Sequence, residues 1–324
     1  MKTPACLRIT EKTPVVHVFK EHVAPKNIAS GLVLATVGAI AFSGKAIIVK
    51  LAYRHGVDAV TLIMYRMLFA LPIVTLMAWW ATYVQDGGGK PPLTRKDRLG
   101  ILGLGVTGYY LASYLDFAGL SYISASLERL ILYLNPTLVL LLGLVLYKRQ
   151  IKRRQALGML ISYAGVMLVF GHEVKLEGGD VALGALLVFL SAVSYAVYLT
   201  SSGELVQRLG SLRLVGLATT VACLLCIAQF VLLRPWSAAR VAPEVIWLSV
   251  LNATLCTAVP VLLVMMAIER IGASQVSQVG MVGPVSTILM GVVILGEPFT
   301  AWVAAGTALV IVGIFVFTRS GRSG

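Results

Sequence analysis

The chain has 324 residues, of which 58% are hydrophobic and only 13% charged, with a formal net charge of +13. A soluble domain carries about 25% charged and about 45–50% apolar residues, so an ordinary soluble globule is excluded and an integral membrane protein is expected. Nucleic-acid binding is excluded too, because so apolar a chain leaves no soluble basic groove to track a phosphate backbone.

In chain order, residues 1–27 form a basic tail with Lys2, Arg8, Lys12, Lys20 and Lys26 and no long apolar core. The next apolar stretch is too long for the core of a signal peptide, so the tail reads as an uncleaved cytoplasmic segment before a first spanning helix. Spans of about 20 apolar residues then recur. They are expected at Ile28–Leu51, Val60–Trp80, Leu99–Leu120, Ala125–Tyr147 and Ala156–Gly171, then at Val181–Ser202, Leu214–Leu233, Val245–Ile268, Ala273–Leu295 and Phe299–Thr318. The fold class expected is all-α integral membrane with ten transmembrane helices. Gly87-Gly88-Gly89 and Pro91-Pro92 mark a true loop after the second span. Cys223, Cys226 and Cys256 lie inside apolar runs and read as small packing residues, and Cys6 lies in the tail.

Basic residues alternate strictly between loops. The tail, the loop after span two (Lys90, Arg95, Lys96, Arg98) and the loop after span four (Lys148, Arg149, Lys152, Arg153, Arg154) are rich in them, as are the C-terminal Arg319 and Arg322. The opposite side has only Arg54, Lys175, Arg234 and Arg240, with Lys50 near that boundary. The positive-inside rule then puts both termini, residues 1–27 and 319–324, in the cytoplasm of a cell whose inner membrane the protein spans.

The chain also repeats itself. A constant shift of 148 positions carries Ile123 onto Ile271, Ala125 onto Ala273, Pro136 onto Pro284, Gly158 onto Gly306 and Gly165 onto Gly313. Two units follow, 28–171 and 181–318, each of five spans. Five is odd, so the second unit enters the membrane in the opposite sense to the first. Two inverted five-helix repeats are a transporter architecture, with substrate held near the midplane between them.

Several residues carry a family likeness. Met64-Tyr65-Arg66-Met67-Leu68-Phe69-Ala70, the pair Ala125…Pro136 and Ala273…Pro284, and the corner Leu295-Gly296-Glu297-Pro298 resemble the EamA-type transporters of the drug/metabolite transporter (DMT) superfamily. The resemblance implies secondary transport, in the sense of efflux, of a small polar or amphipathic metabolite. It implies a cavity lined by spans one, three, four, six, eight and nine. The first half departs from the corner pattern, with Tyr147-Lys148-Arg149 at the matching place.

Ionisable residues well inside spans are costly and normally face a cavity or a partner. They are Lys45, Arg66, Asp116, Glu128 and Arg129. In a continuous helix Glu128, Leu132 and Asn135 share one face, and Pro136 frees the carbonyl of Leu132, which makes a candidate substrate or proton site. The alternative is a Glu128 that snorkels to the outer interface. Arg129 points away from Glu128, toward Asp116 or an anionic substrate; Arg66 is a cavity cation or an anchor to backbone carbonyls. Tyr110 and Tyr114 of span three, Tyr195 of span six, and Gln275 and Gln278 of span nine lie on or beside polar stripes that bind either a ligand or a neighbouring helix. Pro136 and Pro284 are candidate symmetric hinges.

The partners expected are a small-molecule substrate, membrane lipid and a proton as candidate coupling ion. No cofactor or metal is expected: there is no nucleotide-binding loop, and no span contains a histidine. An intramembrane enzyme and a non-transporting membrane sensor are the competing readings; the missing span histidines argue against the first.

Overall fold

Helix α1 runs from Ile28 to Tyr53 and α2 from Ala59 to Tyr83, in a computed structural model that describes residues 28–84, 92–147, 151–271, 275–276, 279–280 and 282–320. Asp58 starts α2: its Oδ1 accepts from the backbone N–H of Val60 and Thr61 at 3.0 and 3.3 Å, satisfying donors that a helix start otherwise leaves unpaired. Thr94 and Asp97 form a capping box that starts α3, Arg95–Leu104. That helix continues as a π-helix over Gly105–Leu111 and as α4 over Ala112–Leu120.

The next span is interrupted. Ser124 caps α5, Ala125–Leu132, through a 3.0 Å bond from the N–H of Leu127. The helix stops at Tyr133–Leu134 and restarts as α6, Asn135–Tyr147. Helices α7 (Arg153–Glu177), α8 (Asp180–Ser201), the short α9 (Gly203–Leu209) and α10 (Ser211–Leu233) follow. Then come α11 (Pro243–Ala253), a π-helix at Thr254–Ala258 and α12 (Val259–Ile271). Two features mark the second π-helix: Pro260 just beyond it has no N–H for the carbonyl of Cys256, and Thr257 Oγ1 donates to the carbonyl of Asn252, five residues back, at 3.0 Å. The last elements are α13 (Val282–Met290), a π-helix at Gly291–Leu295, a turn through Gly296 at φ 74°, and α14 (Ala301–Ser320).

Among the described residues eight helices are long and apolar enough to cross a membrane, with the segment Val282–Leu295 shorter. Large apolar side chains such as Leu76, Val145, Leu160, Leu232 and Val293 point outward, which suits lipid rather than water.

The shift of 148 extends well beyond the stretch where it is visible as sequence identity. Arg95, which opens α3, maps onto Pro243, which opens α11; Arg153 of α7 maps onto Ala301 of α14. The π-helix at Gly105–Leu111 maps onto 253–259 and coincides with the one at Thr254–Ala258. Packing repeats in the same way. α1 lies against α12 and α13, and α8, its counterpart, lies against α4 and α6. α2 pairs with α10, and α7 with α14, so these two pairs join a helix to its own counterpart.

The α7–α14 contact shows their direction. A Cβ on Gly158 would stand 2.6 Å from the carbonyl oxygen of Gly313, and one on Gly165 would stand 2.6 Å from that of Gly306. The lower-numbered glycine of one helix meets the higher-numbered glycine of the other, so the two run antiparallel. Only glycine lets the backbones approach this closely.

Candidate functional site

The intramembrane charges converge. Lys45 of α1 donates from Nζ to Asp116 Oδ2 of α4 at 2.5 Å, and stands 3.1 Å from Glu128 Oε1 of α5. Asp116 and Glu128 are 3% and 0% exposed and Lys45 7%. Two carboxylates therefore share one ammonium in a place closed to solvent. Burying such charges is tolerable only because they are paired. Glu128 does not snorkel to an interface, since Lys45 supplies its counter-charge inside the bundle. Asp116 Oδ1 and Glu128 Oε2 are buried with no hydrogen-bond partner among the described residues.

The two arginines lie nearby on other partners. Arg129 does not meet Asp116, which Lys45 has taken. Its Nη2 donates to Ser43 Oγ at 2.9 Å, and its guanidinium lies 5.4 Å from the ring centre of Phe42 and 5.7 Å from that of Tyr133. Ser43 Oγ in turn donates to the carbonyl of Gly283 at 3.0 Å. Arg66 donates from Nη2 to Thr257 Oγ1 at 3.3 Å, beside the second π-helix, with its guanidinium 5.2 Å from the centre of Phe117. Both side chains keep a buried Nε–H with no partner among the described residues.

A cavity of about 1010 Å³ lies at the end of the bundle formed by the α1–α2 and α4–α5 turns and the Leu295–Thr300 corner, with His172 and Glu173 of α7 and Leu183 and Leu187 of α8 in its wall. Lys50, Ala118 and Ser126 line it. Each stands two to five residues from Lys45, Asp116 or Glu128 on the same helix, which is roughly 3–8 Å along a helix axis. Tyr53 closes part of the floor and donates to the carbonyl of Phe117 at 2.6 Å. At the rim, Asp58 pairs with Arg234 at 3.0 Å. Burial pushes the Asp58 carboxyl up, but hydrogen bonds from Thr61 and Val60 and the Arg234 charge outweigh it and hold it below its ordinary value.

Two acids in the cavity wall clamp the start of α5. Glu297 Oε1 accepts from the N–H of Ala125 at 2.7 Å; its Oε2 accepts from the N–H and Oγ of Ser126 at 3.3 and 2.8 Å. Glu173 accepts from Ser124 Oγ at 2.5 Å. Carboxylates at a helix N-terminus are stabilised by its unpaired N–H groups and dipole. Arg54 reaches the carbonyl of Leu295. Sequence reasoning assigned no role to Arg54, Glu173 or Glu297, because all three stand near span ends, where charges are cheap. The Leu-Gly-Glu corner was the one signal that could have found Glu297.

The remaining candidates scatter. The stripe Glu128–Leu132–Asn135 does not exist, because the break at Tyr133–Leu134 ends its helical register; Asn135 begins α6 with a buried Oδ1 that has no partner. Pro136 and Pro284 do not interrupt helices either: each sits in the first turn of one, α6 and α13, where a missing N–H costs little. The π-helix at Gly105–Leu111 carries Tyr109 and Tyr110, and Asp116 lies beyond it on α4. Tyr109 joins Tyr198 (ring centres 5.2 Å apart), which stacks on Tyr195 in a separate aromatic group. Tyr114 lines the cavity, and Tyr110 packs beside the core of α1, α2 and α10. The serines of α8 serve as interhelical bonds: Ser191 and Ser194 each donate at 2.7 Å, to the carbonyls of Ala112 and Thr107. Gln275 is exposed, and Gln278 lies outside the described residues.

The family model described as "EamA-like transporter family" matches residues 29–171 and again 182–319. The chain belongs to this family. As an EamA-like protein with several spanning helices, it is a multi-pass membrane protein. A relative named "Uncharacterized transporter YcbK", from Bacillus subtilis (strain 168), is 30% identical over 290 residues, covering 84% of this chain and 87% of the relative. An "Uncharacterized transporter" from Archaeoglobus fulgidus is 23% identical over 293 residues, covering 90% and 98%. A solved crystal structure at 20% identity superposes with a TM-score of 0.60, over 92% of this chain and 100% of that one, so the fold is shared.

Proposed function

We propose that this EamA-like protein is a secondary active transporter that exports a small polar or amphipathic metabolite across the inner membrane by alternating access. Ten spans form two inverted five-helix halves, 28–171 and 181–318, with both termini cytoplasmic. Glu128 is the proton-coupling group, and Lys45, Asp116, Arg66 and Arg129 complete the centre that substrate reaches.

The observation that carries the reading is the shared ammonium of Lys45, buried within a few residues of the cavity floor on three helices. A cavity whose lining comes within a few residues of the buried charges supports a solute path over a purely structural ion cluster. In a transporter, protonation of Glu128 releases half the hold on Lys45, and substrate binding competes for the other half. The antiparallel α7–α14 pair, made of a helix and its own counterpart, supports the inversion. Inversion in turn gives two closures of similar energy, one at each membrane face.

The test is reconstitution into proteoliposomes with a panel of amino acids, amines and organic anions under an imposed pH gradient. Transport should follow the gradient in the wild type, and Glu128→Gln should lose the pH-driven component while keeping exchange of substrate for substrate. Unchanged pH-driven transport in Glu128→Gln would remove Glu128 from the coupling role.

A further inference from the structure

We infer that the substrate of this centre carries an anionic group, a carboxylate or its equivalent, held by Arg129 and Arg66 against aromatic faces. This rests on the transporter reading above and names the class of solute that reading leaves open.

The argument begins with a charge count. The buried centre holds three cations, Lys45, Arg66 and Arg129, against two carboxylates, Asp116 and Glu128. Lys45 takes both carboxylates, at 2.5 and 3.1 Å. Among the described residues, neither arginine has a carboxylate within ion-pair distance; their side-chain partners are hydroxyls, Thr257 for one and Ser43 for the other. Arginine keeps its charge in proteins, so these two cannot shed it by losing a proton. An uncompensated buried charge is expensive, and a hydroxyl offsets little of that cost.

The unused donors point the same way. Arg66 and Arg129 are 8% and 6% exposed, and each has an Nε–H with no acceptor. Guanidinium presents its donors in a planar fork that matches a carboxylate. A cationic substrate would add a fourth positive charge to a centre that already holds three cations against two carboxylates. An anion brings the count to balance. The neighbours also set shape: Phe42 and Tyr133 flank Arg129, and Phe117 flanks Arg66, so the anion is one with apolar or aromatic substance attached.

The experiment uses the full chain in detergent and a set of probes of one shape and three charges: benzoate, benzamide and benzylamine, with acetate and phenylacetate beside benzoate. Binding is read as saturable protection against thermal unfolding and as quenching of tryptophan fluorescence. Expected is protection by the carboxylates and none by benzylamine. Arg129→Gln should weaken it roughly tenfold to a hundredfold, the range for a hydrogen bond to a charged group, with partial rescue in Arg129→Lys. If Arg129→Gln does not fold, Arg66→Gln carries the same expectation, and the charge series on the wild type stands without either variant. Protection by benzylamine alone, equal protection by all three shapes, or no protection by any carboxylate overturns the inference. Vesicle flux separates it from the transporter reading: carboxylate binding without solute movement keeps the anion site and removes transport, whereas flux of amines alone keeps transport and removes the anion site.

Discussion

Replacing Lys45 with methionine removes the one positive charge that two buried carboxylates share. Methionine fills similar volume, so the change is mainly electrostatic. Asp116 and Glu128 are 3% and 0% exposed and lose partners at 2.5 and 3.1 Å. Breaking a buried pair by removing one partner costs about 3–5 kcal/mol. The protein can escape by taking up a proton, and neutralising an ordinary carboxyl at pH 7 costs about 4 kcal/mol, at 1.36 kcal/mol per pH unit. Both routes give the same range. Lys45→Met should therefore lower unfolding stability by about 3–5 kcal/mol at neutral pH, and the loss should shrink on acidification as the carboxyls accept protons. Lys45→Met with Asp116→Asn should recover a large part of it. The assay is denaturant unfolding of the solubilised protein followed by tryptophan fluorescence. Lys45→Met within about 0.5 kcal/mol of wild type, the usual scatter for a substitution away from such features, would refute a buried pairing.

Glu297→Ala should cost about 1–2 kcal/mol in the same assay, since it removes an acceptor of three bonds at a helix start, and Glu297→Gln should cost less. Gly165→Leu should destabilise by about 1–3 kcal/mol or more through a clash with the Gly306 carbonyl, while Gly171→Leu, with open space around it, should not; equal effects would disprove close approach of α7 and α14. Pro136→Ala and Pro284→Ala should leave expression and stability nearly unchanged, because proline in a first turn costs the folded state little. Both should slow transport in vesicles, and normal rates in both variants would end the hinge proposal.

The sequence was most legible where periodicity and cost act locally. Apolar runs of spanning length located the eight long apolar helices found among the described residues, and the expense of burying charge singled out Lys45, Arg66, Asp116, Glu128 and Arg129, all of which are buried. Who pairs with whom was not legible. Lys45 and Asp116 stand 71 residues apart in the chain, and no helical spacing connects them. The polar stripes failed for one physical reason: they assume an unbroken α-helical register. The break at Tyr133–Leu134 resets that register, so Asn135 parts from Glu128, the acid it was aligned with, and the π-helix at Gly105–Leu111 resets it again in the third span. Proline at position 136 pointed to an irregularity, but not to its place just before the proline. Glu297 escaped because its worth lies in the N-terminus of α5, 172 residues earlier in the chain.

The two halves share a frame but not a chemistry. The shift of 148 carries Lys45 to Val193, Arg66 to Leu214, Asp116 to Val264, Glu128 to Val276 and Arg129 to Ser277. Every charge of the centre is thus lost in the second copy, while helix starts, the mid-helix π-helices and the glycines of the α7–α14 contact are kept. That division has a physical logic. Under the alternating-access reading proposed above, a duplicated geometry would let both faces open and close at similar cost. A duplicated buried cluster would instead add several costly groups and a second competing site. The contacts between halves fit this: Arg129 and Tyr133 of the first half close on the glycines at the start of α13, where Tyr133 donates to the carbonyl of Gly280 at 2.5 Å and a Cβ on Gly283 would stand 2.6 Å from the Tyr133 hydroxyl. The second half supplies bare backbone at the place where the first supplies side chains. Under the transporter reading proposed above, a motion of α5 and α6 would shift the charged centre relative to its backbone partners at Gly280 and Gly283.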